Sequence, residues 1–301
     1  IMVVGVSFLV FFIMSLSPVD PAYSALGESA TPEALEAYRN QHGLNDPFFI
    51  QYGRYLWNMI HGDLGTYGAG SSSVTDLVAK ALPLTLQLTF LGLFIAVLIS
   101  FPLGVLAALY RDRWPDQIIR VFSVIGIGTP SFWLAALLVL AFLHSPLKVS
   151  GEVPALTVNP TGWFLRMLLP AIALAVPVIG QMTRVVRTSM VEELDRDYVR
   201  TAVGAGIPKS IVVARNVLRN ALITPVTVLG LRVGYLMGGA VVIEIIFSIN
   251  GMGKAVLLKG IQENWVTLVQ GGALVVAIAF IIVNIIVDVL YLLINPRIRS
   301  V

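Results

Sequence analysis

Six apolar runs almost free of charge recur along the chain, each near the roughly 20 residues that cross a bilayer. They fall at 1–16, 84–109, 121–143, 165–183, 226–247 and 269–294. A soluble domain of 301 residues would carry far more charge than the 12% found here, against 57% hydrophobic residues. In hydrocarbon every backbone N–H and C=O must be satisfied within the segment, so helices are the expected form. The expectation is an all-α polytopic membrane protein with six transmembrane helices. The first run reads as an anchor rather than a signal peptide, because no small-residue cleavage site follows it. Ile1 stands where an initiator Met would, so the natural chain is expected to start upstream.

Lys and Arg placement orients the spans. Arg111, Arg113, Arg120, Arg184, Arg187, Arg196, Arg200, Lys209, Arg215, Arg219, Arg297 and Arg299 fall at 110–120, 184–224 and the C-terminus. The opposite side has fewer, spread over longer loops with more acids. Both termini are therefore expected in the cytoplasm, and the basic balance reads as topology rather than nucleic-acid binding. Three segments follow: a first helix at 1–16, a long outer loop with short helices at 17–81, and a five-helix core at 82–301 with a cytoplasmic loop at 192–224. Disulfides are excluded, since the chain has no cysteine.

In the outer loop, "TPEALEAYRNQHG" predicts a short helix capped by Thr31, with Pro32 in its first turn and Gly43 as its stop. "DPFFIQYGRYLWNMIHG" predicts a second, with Phe48, Tyr52, Tyr55, Leu56 and Met59 on one face. That face suits either the membrane interface or packing on neighbouring helices. "YGAGSSS" reads as flexible. Within the spans, Pro130 in "GTPSFW" is expected to kink the third helix, which would either line a path or serve packing. Gly230, Gly234 and Gly238 form a doubled small-xxx-small pattern, read as helix packing ahead of pore lining.

Catalytic and metal chemistry finds no footing. His42, His61 and His144 are far apart and lack metal-ligand spacing. "SINGMGKA" fails as a phosphate loop: Ser248 replaces the required first glycine and Ala255 the hydroxyl after the lysine. Ionisable groups inside spans are costly, so Arg232, Glu244 and Asp288 stand out. Arg232 and Asp288 lie at matching depths from the inner side, which predicts an ion pair. A proton-relaying secondary transporter would need more such groups.

The polar stretch "EELDRDYVRTAVGAGIPKSIVVARNVLRNALITP", 192–225, interrupts this greasy chain. It predicts two short cytoplasmic helices. Asp195 or Asp197 can cap the first, on which Tyr198, Ala202 and Ala205 are expected to share a face. Gly204 and Gly206 break it, and Pro208 suits the first turn of the next. Arg215 and Arg219 lie one turn apart on that second helix, which Pro225 is expected to end. A small-residue helix, a hinge and a basic helix suggest a protein-docking surface; a solvated loop held by lipid headgroups is the plainer alternative.

"DYVRTAVGAGIPKSIVVARNVLRNAL" resembles the cytoplasmic loop of ABC importer permeases, with Ala202 and Gly206 on its Ala-x-x-x-Gly core. "GLNDPFFIQYGRYLWNMIHGDLG", "GTPSFW", "EIIFSINGMG" and "INPRIR" extend the resemblance over nearly the whole chain, to the B-type permease of dipeptide/oligopeptide importers. Asn250 and Asn295 depart from the family's usual Pro and Asp. The resemblance implies the type I importer permease fold and a non-enzymatic subunit that binds no cofactor, with ATP and Mg on partner chains. It implies as partners a C-type permease, two ABC ATPases, an outer substrate-binding protein, a peptide substrate and the lipid of a bacterial inner membrane. Nickel chelates and glutathione are alternative cargoes of the same scaffold. Tyr198, Arg200, Thr201, Ala202, Ala205, Gly206 and Arg215 would then be the coupling contact to the ATPase.

Overall fold

In the computed structural model, residues 2–27, 30–68, 72–145 and 151–294 are described, the side chains of Asp288 and of 290–294 excepted. The first element is α1 (Met2–Ser15), apolar but only 14 residues long. At about 1.5 Å per residue it reaches roughly 21 Å, short of the ~30 Å hydrocarbon layer. Three short helices follow, α2 (Pro21–Leu26), α3 (Pro32–His42) and α4 (Phe48–Ile60). The limits of α3 are those expected: the Thr31 hydroxyl accepts from the Ala34 amide at 3.3 Å, and Gly43 leaves the helix at φ 62°. The aromatic face of α4 packs on α1. Phe11 lies 5.3 Å from Phe48 and 5.5 Å from Tyr52 between ring centroids, and Phe8 meets Tyr52 edge-on. The opposite face of α4 leaves Phe49, Ile50, Trp57 and Ile60 exposed.

A two-residue hairpin, β1 (Thr66–Tyr67) and β2 (Ser72–Ser73), then leads into α5 (Val74–Leu109). This helix has 36 residues and begins well before the apolar run at 84. Next come α6 (Trp114–Gly128), α7 (Ser131–Phe142) and α8 (Pro160–Leu194). The third run is broken rather than kinked, α6 and α7 meeting at 97°. A proline also disfavours helical backbone in the residue before it. Thr129 is extended at ψ 112° and Pro130 at ψ 133°, so two successive residues leave the helix. α8 runs 35 residues through Pro170 and Pro177, and its last turns take up 184–194, expected to be loop.

The polar segment holds α9 (Asp197–Gly204), α10 (Lys209–Val212), a π-helical turn at Val213–Val217 and α11 (Leu218–Ala221). α12 (Ile223–Ile246) follows, then a second π-helical turn at Met252–Leu258, α13 (Lys259–Gln262) and α14 (Val266–Ile294). Among the described residues four helices, α5, α8, α12 and α14, are long and apolar enough to span a membrane, five elements if the bent α6–α7 pair counts as one span.

Two units divide the chain. One comprises Ile1–Leu86 and Ser248–Ile282, the other Gln87–Phe247 and Val283–Val301. In the first, Val74, Val78, Met252, Val256 and Leu268 form a buried core. There the Met252 amide donates to the Thr85 hydroxyl at 2.9 Å. In the second, α6, α7 and α12 all pack on α8, whose apolar window is 56% buried against 28% for α5. Close crossing explains the glycines: a Cβ on Gly180 would sit 2.5 Å from the Ser123 carbonyl oxygen, and one on Gly104 2.6 Å from Val186 Cβ.

Candidate functional site

The polar segment closes onto the C-terminal ends of α5 and α8. α9 starts at Arg196, which makes no side-chain cap. The two aspartates expected to cap it are used otherwise. Asp195 ends α8 and accepts from Arg111 Nη1 at 2.9 Å, while Asp197 is the first helical residue. The stop is as expected: Gly206 turns at φ 87°, and the Ile207 amide donates back to the Ala202 carbonyl at 3.2 Å. Pro208 stands just before α10 rather than in its first turn. Helical backbone then continues from Lys209 to Ala221 through the π turn, and Pro225 falls in the first turn of α12 instead of ending the second helix.

α9 has an anchored face and an open one. Val199 is buried in a cluster with Ala108, Val186, Met190, Val212 and Val217, and Tyr198 and Ala202 pack against it. Burial pushes the Tyr198 phenol above its ordinary pKa, and Asn220 Nδ2 reaches its hydroxyl at 3.5 Å. The other side exposes Arg200, Thr201, Val203, Gly204, Ala205 and Gly206. So the residues expected on one face divide: Tyr198 and Ala202 point inward, and Ala205, one position past the helix, is open. Arg215 is exposed on the π turn. Three apolar side chains were not anticipated there: Val203, Ile207 and Ile211 are 42%, 44% and 51% exposed on the polar side of the chain.

A second feature escaped sequence reading. Asp116, fully buried at the start of α6, accepts from Arg187 Nε at 2.6 Å and Nη2 at 2.7 Å. The Asp112 amide donates to the same carboxylate at 3.0 Å, and Arg120 stands 3.7 Å away. A bidentate guanidinium–carboxylate pair fixes orientation as well as distance. It ties the 110–113 turn to α8. Asp116 and Arg120 are visible as an i, i+4 pair, but Arg187 lies 71 residues away from Asp116 and no local pattern announces it.

The intramembrane candidates are dispersed. Arg232 is half-buried in α12, its Nε enclosed with no hydrogen-bond partner among the described residues. Asp288 lies in α14, but its side chain falls outside the described residues, and so does the pairing expected of it. Its neighbour Val287 lies against Gly230, two residues from Arg232, so the helices meet at this level. Glu244 is fully buried in α12. Gly234 is half-buried, and Gly238 faces open space; the adjacent Gly239 makes the close approach instead, to Leu174. Pro130 marks the α6–α7 break.

Known proteins resemble this chain in sequence and fold. Residues 100–300 match the family described as binding-protein-dependent transport system inner membrane component, and residues 1–89 match its N-terminal companion. A Brucella abortus protein named for a peptide transport system permease is 38% identical over 98% of this chain and 94% of its own. An Escherichia coli protein named for a D,D-dipeptide transport system permease is also 38% identical, over 99% and 94%. The E. coli glutathione transport system permease protein is 36% identical over 98% and 94%. Among solved structures, an inward-facing form of the MetNI methionine ABC transporter aligns at a TM-score of 0.55 and 16% identity, over 73% of this chain and 96% of that one. The last likeness concerns the fold alone. The chain belongs to the family of binding-protein-dependent transport system inner membrane components, the multi-pass permeases of ABC importers.

Proposed function

We propose that this permease forms half of an ATP-driven pathway for dipeptides and short oligopeptides, and that α9 with the turn after it is its coupling contact. The peptide assignment is supported by relatives named for peptide and D,D-dipeptide transport that align almost end to end. The relative named for glutathione makes that tripeptide the second cargo to test. ATP is hydrolysed on two separate ATPase chains, a C-type permease supplies the other half of the pathway, and an outer binding protein delivers the cargo. Both termini and the 192–224 loop face the cytoplasm.

The observation that carries the coupling assignment is the two-sided character of α9. Its Val199 face is locked to the inner ends of α5 and α8, while its Arg200–Ile207 side is open and mixes small, apolar and basic groups. A push on the open side is therefore delivered to two spans. Such a contact can convert ATPase closure into rigid-body movement between inward-facing and outward-facing states. Ala202 lines the anchored side, so a bulky acid there would disturb the chain's own core. Ala205 is the cleaner test position. In the reconstituted complex, Ala205→Glu should abolish substrate-stimulated ATP hydrolysis and uptake while membrane insertion stays normal. Unchanged coupling in that variant would remove α9 from the role.

A further inference from the structure

A cavity of about 400 Å³ opens at the cytoplasmic end of α5 and α8, beneath α9 and α10. That volume lies within the roughly 300–1,000 Å³ typical of small-molecule sites. Its apolar lining includes Leu109, Val191, Leu194 and Val199. Its charged lining is Arg111, Arg200 and Lys209 with the single carboxylate of Asp195. That carboxylate engages Arg111 at 2.9 Å, and Arg200 stands 3.8 Å from exposed Asp197. Lys209, at the start of α10, has no acidic partner among the described residues. The cavity therefore keeps a positive excess.

Its position says what fills it. Leu109 is the last residue of α5, and with Leu106 and Tyr110 it is 42–45% exposed. The cavity thus lies beside the end of an apolar span, and apolar and cationic side chains line it together. Such basic pockets between span ends on the cytoplasmic side hold acidic lipid headgroups. We infer that this cavity is a site for one anionic phospholipid, its phosphate between Arg111 and Lys209 and its acyl end against Leu109. Because the walls come from α5, α8, α9 and α10 together, an occupant braces the joint between the polar segment and the spans. Only that effect on coupling rests on the role proposed for α9; the binding site stands on its own geometry.

The test uses the assembled complex in phosphatidylcholine nanodiscs doped with phosphatidylglycerol, reading lipid retention by native mass spectrometry. One phosphatidylglycerol retained per copy of this chain, in preference to phosphatidylcholine, is expected. Lys209→Ala should weaken retention about fivefold, the share of one near-surface basic residue. Val191→Phe, which enlarges the apolar lining and leaves every charge in place, should also lower it. Retention unaffected by Val191→Phe would mean diffuse surface charge rather than a pocket and would overturn the assignment. So would displacement by soluble glycerol phosphate at millimolar concentration, which would mark a site for a free anion. Crosslinking of Val191→Cys to an ATPase chain would overturn it as well, giving the cavity a protein occupant. Retention is read on lipid rather than ATP turnover, so failure of the coupling role leaves this result standing.

Discussion

Asp116 is wholly buried, and its charge is matched within 3 Å by Arg187. Removing one member of a buried pair strands the other and costs on the order of 3–5 kcal/mol, whereas removing both costs much less. Asp116→Ala or Arg187→Ala should therefore lower the melting temperature of the solubilised protein clearly, and the double substitution should recover much of the loss. A double substitution that costs the sum of the two singles would mean that the two side chains do not stabilise one another. Sequence reading could see Asp116 as one acid in a basic turn, and Arg187 as one of many inner cations. What it could not see is that α6 and α8 cross closely enough to join them, because that crossing depends on Gly126 and Gly180 meeting although they lie 54 positions apart in the chain. Capping is different. Thr31, Pro32 and Gly43 fix α3 through bonds within a few residues, so its ends were legible.

Elements were legible where hydrophobicity alone defines them and not where packing decides. α12 and α14 begin within a few residues of their apolar runs. α5 and α8 extend well past theirs, because helical backbone continues beyond the membrane once caps and neighbours support it. On α9 the small residues were evident, but which side faces inward depends on where α5 and α8 end. The third run broke because Thr129 follows the local rule before proline, a signal present in "GTPSFW" and underweighted beside the apolar run. Glycines can be ranked in the same way. A side chain at Gly180 would collide with backbone on α6, so Gly180→Val should cost at least the ~1–3 kcal/mol of core overpacking and reduce folded yield. Gly238, with nothing within 4 Å of its missing Cβ, should accept Ala with little change in yield. Yields that reverse this order would show that the two helices do not cross at Gly180.

The whole molecule is a membrane protein whose Lys and Arg placement predicts its sidedness, and that prediction can be checked directly because the chain has no cysteine of its own. Ser72→Cys, in the β1–β2 hairpin, and Ser210→Cys, in α10, both occupy exposed positions. A membrane-impermeant maleimide should label Ser72→Cys in intact cells and Ser210→Cys only after the membrane is opened. Labelling of both from one side would invert or dismantle the topology. Within that frame α8 has a mechanical meaning. Its 35 residues form an unbroken rod, about 50 Å long at 1.5 Å per residue. α9 joins it after a two-residue link, Asp195 and Arg196. A tilt of roughly 10° about the midpoint of so long a rod carries each tip about 4–5 Å, close to one helical turn. Small rotations at the polar end therefore arrive at the far end as displacements large enough to slide one side chain past its neighbour, with Pro170 and Pro177 as the points where the rod can flex.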